Sequence, residues 1–235
     1  MHSPERLPRP ELWTTDRSLQ PSPVQTLPEV HAVTFLEVPS RPTTYADRQV
    51  ICMPRPPRSN LARRRRLDRR AGYGCEWLTI RDSRDWVCRQ AKGQTLEVGV
   101  GTGLNLRWYA ADIELVAVDL DRDRLEVSAE RAHELGRTVR LAIADGHRLP
   151  FGDDAFDTVV STLAICDVDD REATVAEVYR VVRPGGLLLL LDHLEPRWRH
   201  GRPATLGERA GFTMADRQRL WAGYIERVRL QKPRE

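Results

Sequence analysis

Residues 96–103 read Leu96-Glu97-Val98-Gly99-Val100-Gly101-Thr102-Gly103, and the spacing of the three glycines decides the fold. Gln94–Val98 before them carries a strand pattern, and Leu104–Tyr109 after them a helical one. Glycines between a strand and a helix let the backbone turn tightly and approach a ligand closely. A dinucleotide fingerprint runs G-x-G-x-x-G. Counting from Gly99, the sixth position here is Leu104, so the spacing is G-x-G-x-G. Glu97 sharpens the distinction, because a pyrophosphate favours helix N-terminal amides and no neighbouring carboxylate. Glu97 would repel such a ligand and suits one with an amino-acid end.

Two further acidic residues stand where strands are predicted to finish. Asp119 lies 22 residues past Glu97, at the end of the second strand, where a carboxylate can accept both hydroxyls of a ribose. The alternative is an ordinary strand-ending turn. Asp145 closes a third strand in Ile143-Ala144-Asp145-Gly146-His147, where it can meet an adenine amino group or cap a helix before Arg148. S-adenosylmethionine combines an ammonium and a sulfonium with a ribose and an adenine. It matches this set of groups.

From Gly93 onward apolar runs alternate with helix-patterned segments. Glu114–Val118, Val139–Ala144, Thr158–Thr162 and Leu187–Leu191 are predicted strands, and Arg122–Glu134 and Arg171–Val182 predicted helices. A five-leucine strand suits only a sheet covered on both faces, and strand–helix alternation implies parallel crossovers. The tail Gly223–Gln231 alternates and fits a late antiparallel strand, paired with one after Gly211. The fold class is therefore α/β: a doubly wound, mostly parallel sheet of about seven strands, with a C-terminal antiparallel hairpin and helices on both faces.

The chain of 235 residues has room for one catalytic domain and an extension. Residues 1–60 hold eleven of the sixteen prolines and are expected to be a disordered extension, with one apolar patch, Val30–Val38, suited to a short strand or helical turn. Residues 61–93, with Trp77, Leu78, Ile80, Trp86 and Val87 at helical spacing, are expected to form one or two helices ahead of the domain at 94–235. Of a net charge of +3, eight arginines offset by Asp68 place +7 within residues 55–70, leaving the remainder mildly acidic. Cys52, Cys75, Cys88 and Cys166 are scattered, without metal-ligand spacing to the histidines. The expectation is a reduced, cytoplasmic protein with no metal. No run of ~18 apolar residues and no signal core is present.

The stretches LEVGVGTGLNLRWY, VAVDLD, IADGHRLPFGDDAFDTVVSTLAICDV, EVYRVVRPGGLLLLLDH and the closing AGF…IERVRLQKP together resemble the small-molecule class I methyltransferases. The branch most like them contains bacterial phosphatidylethanolamine and ubiquinone/menaquinone methyltransferases and animal thiol methyltransferase-like proteins. The resemblance runs continuously over about residues 70–193. It implies S-adenosylmethionine as cofactor, with Glu97, Gly99, Gly101 and Gly103 around the methionine moiety and Asp119 on the ribose. Leu120 would lie against the adenine, Asp145 and the Gly146 amide at its edge, and Ser161, Thr162 and Leu163 along the cofactor beyond the fourth strand. Tyr73 and Trp77 lie in the segment that folds over the cofactor as a lid in relatives, or serve as core aromatics of a helix. Cys166 and Asp167 follow the fourth strand, where relatives contact the acceptor; a small buried cysteine is the other role for Cys166.

His193, two residues past the fifth predicted strand, is the candidate general base or acceptor-orienting group. Asp192 beside it can orient the histidine or cap the turn. Two departures from the family stand out. The link from Asp192-His193 to Ala210-Gly211-Phe212 is shorter than the usual helical roof over the substrate, and residues 1–60 have no counterpart. The expected partner is a small-molecule methyl acceptor. Nucleic acid is a rival suggested by Arg63 to Arg70, but Ser161-Thr162-Leu163-Ala164 stands where base amino-methylation calls for an Asp/Asn-Pro-Pro-aromatic segment, and no Pro-Cys pair is present. A non-catalytic interaction protein is a second rival, opposed by the intact loop, Asp119 and Asp145. The same arginines could rest on anionic membrane lipid, giving a membrane-peripheral protein.

Overall fold

The computed structural model describes residues 36–38, 80–193, 202–220 and 224–234. In chain order the elements are β1 (Leu36–Val38), α1 (Arg81–Cys88), β2 (Gln94–Val98), β3 (Glu114–Asp119), α2 (Arg122–Glu134) and β4 (Val139–Ile143). They continue with β5 (Phe156–Thr162), a 3-10 turn (Ile165–Asp167), α3 (Arg171–Val181), β6 (Val182–His193), α4 (Pro203–Arg209), β7 (Thr213–Leu220) and β8 (Ile225–Gln231).

The strands form one sheet in the order β1-β4-β3-β2-β5-β6-β8-β7. Pairs β4–β3, β3–β2, β2–β5 and β5–β6 are parallel, and β6–β8 and β8–β7 antiparallel. The chain winds outward through β3 and β4, then returns to place β5 on the other side of β2. That reversal makes the carboxyl ends of β2 and β5 the topological switch point, where open α/β sheets collect ligands. β1 adds an eighth, antiparallel strand on β4 and comes from the apolar patch Val30–Val38. Among the described residues no helix is long and apolar enough to cross a membrane.

Both faces of the sheet are covered at β6. Leu188 and Leu190 of β6 pack with Leu96, Val118, Val159 and, from α3 and α4, Val175, Val178 and Leu206. Leu189 and Leu191 face the other way, onto Ala117, Leu141, Val160 and, from α1 and α2, Val87, Leu125 and Ala132. All four leucines are at most 1% exposed, so each stabilises the fold by roughly 1.5–3 kcal/mol. This is why a five-leucine run tolerates no polar alternation. Helix starts follow local chemistry: Asp121 accepts from the amides of Asp123 and Arg124 at the head of α2, and Asp170 accepts from Ala173 N–H at the head of α3.

One predicted element is corrected. Residues 104–109 do not form an α-helix. They run as successive turns closed by i→i−3 bonds, Gly103 N–H to Val100 carbonyl (3.0 Å), Leu106 to Gly103 (3.2 Å) and Trp108 to Asn105 (2.8 Å). The side chains of Asn105 and Tyr109 are drawn inward to Glu97, which sets the turn geometry in place of a regular helical ladder.

Candidate functional site

The glycine loop leaves β2 at the switch point with Gly99, Gly101 and Gly103 all at positive φ (75°, 55° and 76°). A side chain at Gly101 would meet nothing within 4 Å, so the loop borders open space there. At Gly103 the opposite holds, because a Cβ would stand 2.6 Å from Ser128 Oγ on α2. The loop is thus pressed on α2 at one glycine and open at the one before it.

Asp119, at the end of β3, ties this loop down. Its Oδ2 accepts from Gly101 N–H at 2.7 Å and its Oδ1 from Asp121 N–H at 2.9 Å. A carboxylate oxygen has two acceptor sites, so both oxygens retain one for a pair of vicinal hydroxyls. Next to it Leu120 is 70% exposed, and Ile143, at the end of the neighbouring β4, is 50% exposed. Two large apolar side chains left open at adjacent strand ends form a surface for a flat apolar ring.

Asp145 is exposed and accepts from both the amide (2.9 Å) and the Nδ1 (2.7 Å) of His147. These bonds hold its carboxyl below the usual carboxylate range. His147 Nε2 in turn accepts from the amide of Asp170 at 3.3 Å, which assigns its proton to Nδ1 and links the loop after β4 to the head of α3. Gly146 sits close to Thr174 and Val98.

Glu97 lies deeper than its neighbours, 1% exposed. Its Oε1 accepts from Asn105 Nδ2 (2.8 Å) and its Oε2 from the Tyr109 hydroxyl (2.9 Å). Burial pushes its pKa up to about 7, against the opposing pull of the Tyr109 and Asn105 hydrogen bonds and of Arg84. Asn105 also donates to Thr162 Oγ1 at 2.8 Å. Arg84 of α1 completes the network, reaching Asn105 Oδ1 (2.7 Å) and Thr162 Oγ1 (2.9 Å) with one guanidinium nitrogen. Sequence reading singled out Glu97 and Thr162 and missed Arg84, Asn105 and Tyr109. The available signal was Glu97 itself, since a carboxylate in a two-sided strand requires donors close by.

On the far side of the switch point, Ser161 is buried with an unpartnered hydroxyl, and Leu163 holds a left-handed φ of 55° while its amide donates to the Leu191 carbonyl. Strained non-glycine backbone of this kind persists only where its surroundings fix it. The following 3-10 turn carries Cys166 and an exposed Asp167. Asp192, 2% exposed at the end of β6, accepts from Cys166 N–H (3.0 Å, Oδ2) and His193 N–H (2.8 Å, Oδ1), and burial raises its pKa to about 6. Burial and the adjacent Asp192 push the Cys166 thiol well above its ordinary range. Cys166, Asp192 and His193 therefore meet, although 26 residues of chain separate the first from the second. Tyr73, Trp77 and the run Arg63–Arg70 lie outside the described residues.

Open space at Gly101, the free acceptor sites on Asp119, the bare Leu120–Ile143 surface and the unpartnered Ser161 hydroxyl fit a ligand with a ribose, a flat base and a polar tail. Residues 96–190 match the family described as methyltransferase domain. The chain is 36% identical over 103 residues to phosphatidylethanolamine N-methyltransferase of Cereibacter sphaeroides, covering 43% of this chain and 51% of that one. It is 32% identical over 133 residues to demethylmenaquinone methyltransferase of Thermus thermophilus, covering 55% and 60%. The matches thus span between about half and three-fifths of these relatives' own length. Among solved structures, the S-adenosylmethionine complex of Haemonchus contortus phosphoethanolamine N-methyltransferase 2 superposes with a TM-score of 0.58 at 18% identity, covering 75% of this chain and 60% of that one. At that identity the likeness concerns the fold. The glycine loop, the switch-point topology and the match agree with one another: residues 96–190 carry a domain similar to the class I S-adenosylmethionine-dependent methyltransferases.

Proposed function

We propose that the protein transfers a methyl group from S-adenosylmethionine to a small-molecule acceptor of lipid, quinone or similar amphiphilic type. The observation that carries this reading is the grip of Asp119 on the Gly101 amide, with Leu120 and Ile143 bare beside it. Acceptor sites on Asp119 and two exposed apolar side chains on one side of the switch point, with a polar cluster on the other, support a ribose and an adenine at that edge. The acceptor class follows the named activities of the relatives.

S-adenosylmethionine supplies a methyl carbon already activated by a sulfonium. The chain's part is to hold donor and acceptor in line at ~3–3.5 Å, which alone accounts for much of a bimolecular barrier. Asp119 would hold the ribose hydroxyls, Gly146 N–H and Asp145 the adenine edge, and the Arg84–Asn105–Thr162 network the polar tail. Glu97 acts through others: with both oxygens engaged it positions Asn105 and Tyr109, and so the turn that follows the glycines. Asp192 and His193 would orient the acceptor at the end of β6. Contact of such an acceptor with anionic membrane, and residence in the reducing cytoplasm, complete the reading.

Two measurements test it. Calorimetry with S-adenosylmethionine should show binding at micromolar concentrations; no binding at high micromolar concentration sinks the proposal. Incubation with methyl-labelled cofactor and fractionated cell extract should label a lipid or quinone fraction. Label confined to RNA, DNA or protein would replace the acceptor class.

A further inference from the structure

Cys166, Asp192 and His193 each present one ligand atom, and the three atoms lie within 4.8 Å of one another. Among the described residues this is the one place where three such groups converge. They are brought together by the sheet: the 3-10 turn after β5 supplies the thiol, and the last two residues of the adjacent β6 supply the carboxylate and the imidazole.

The arrangement is built from the backbone outward. Both other residues donate their own amides to Asp192, one to each oxygen, and Arg171 fixes the Cys166 carbonyl from 2.7 Å. The Cys166 thiol also bonds Asp192, and loss of its proton to an ion frees that acceptor site on the carboxylate. A ligating carboxylate held by hydrogen bonds in this way is the outer-shell pattern of protein metal sites. Thiolate, imidazole and carboxylate are the ligand types of a borderline divalent ion, above all zinc. Around a tetrahedral ion with bonds of roughly 2.0–2.3 Å, ligand atoms sit about 3.3–3.8 Å apart. Contraction by about 1 Å is within reach of rotamer adjustments at the half-buried Cys166 and His193.

We propose that Cys166, Asp192 and His193 form a three-ligand site for a divalent ion of the zinc class, with the remaining coordination position open at the carboxyl edge of the sheet. Ala164, two residues before Cys166, packs against Gly99, so the site lies just beyond the glycine loop on the same edge. Resting on the methyl-transfer reading, the open position takes the acceptor, whose class then narrows to thiols and hydroxyls. An ion of this kind makes a bound protonated heteroatom more acidic. The acceptor's proton goes to water, its freed electron pair forms the bond to the methyl carbon, and the carbon–sulfonium bond breaks onto sulfur to leave a neutral thioether. Local spacing in the sequence gave no sign of such a site because its ligands come from two different strand ends.

The test uses the full chain, stripped with a chelator and titrated with cobalt(II), followed by competition with zinc. The expected result is one cobalt per chain with a thiolate-to-metal charge-transfer band, displaced by zinc. Cys166→Ser should abolish the band, and His193→Ala should weaken zinc binding at least about tenfold. Circular dichroism confirms the fold of each variant, and Asp192→Asn adds a third ligand test if it folds. A band that survives Cys166→Ser, or no band in the unaltered chain, overturns the site. Calorimetry with S-adenosylmethionine keeps the two proposals apart: cofactor binding with no cobalt site removes the metal alone. Cobalt binding without cofactor binding leaves the site standing and removes its role in methyl transfer.

Discussion

Gly99 and Ala164 meet across the switch point so closely that a Cβ placed on Gly99 would stand 2.3 Å from the Cβ of Ala164. The loop after β2 and the loop after β5 therefore pack backbone against side chain, and this contact fixes the distance between the two halves of the candidate site. Gly99 also needs its freedom of rotation, since its φ is 75°.

Gly99→Ala is expected to destabilise the protein by about 1–3 kcal/mol through backbone strain, with a further loss from the overlap. Ala164→Gly in the same chain should restore the overlap part only. Urea unfolding of the two single variants and the double variant measures the coupling. Strictly additive losses would mean that the loops do not hold each other.

Burial of Glu97 makes stability depend on pH in a defined direction. Its unfolded pKa is ~4.3 and its folded value about 7, so between them the folded state keeps a proton that the unfolded chain has lost. The associated stability is fully present below the unfolded value and is lost as pH rises through about 7. The loss amounts to roughly 3–4 kcal/mol at the rate of ~1.4 kcal/mol for each pH step between the two values. Asp192, raised to about 6, adds a decline of the same sign at lower pH. Glu97→Gln keeps an acceptor for Asn105 and offers Tyr109 a donor, so it should flatten the decline between pH 6 and about 7. Unfolding free energies measured from pH 5 to 8 decide this; an unchanged slope in the variant would show that Glu97 stays ionised throughout.

The parts of the fold set by periodicity were legible in the chain. Residues Arg122–Glu134 form the predicted helix, and the leucine run and the alternating tail both became strands, because burial on one or two sides writes directly into residue order. The turn at 104–109 was not legible, since its pattern of apolar residues suits a helix and only the pull of Glu97 on Asn105 and Tyr109 departs from one. For the site, Asp119 and the glycines could be located from strand ends. Arg84 could not, because its position in α1 reveals its partners only once β5 has brought Thr162 beside Asn105.

Asp119 has two tasks that substitution can separate. Asp119→Asn retains one acceptor for Gly101 N–H while losing charge, and Asp119→Ala removes both. Cofactor affinity is expected to fall by about 1–3 kcal/mol in Asp119→Ala, from lost charge-assisted bonds to the ribose. Asp119→Asn should fall between that variant and the parent. Calorimetry with S-adenosylmethionine is the readout. Affinity unchanged in a folded Asp119→Ala would assign the ribose to other residues.

Arg84 joins α1 to the site through one nitrogen shared between Asn105 and Thr162. Lysine at this position has a shorter reach and a single ammonium in place of the planar fork, so Arg84→Lys cannot reproduce the guanidinium's fixed geometry. The buried acceptor on Asn105 then lacks this donor, a loss of about 1–3 kcal/mol. Because α1 contributes Val87 and Cys88 to the core face beneath β6, its loosening should appear first as faster amide exchange in 81–88, ahead of global unfolding. Cofactor affinity should fall together with that protection, since Asn105 and Thr162 sit at the same edge as the glycine loop. Exchange unchanged in 81–88 alongside reduced affinity would confine Arg84 to the cofactor's polar tail and remove its part as the latch that holds the helix.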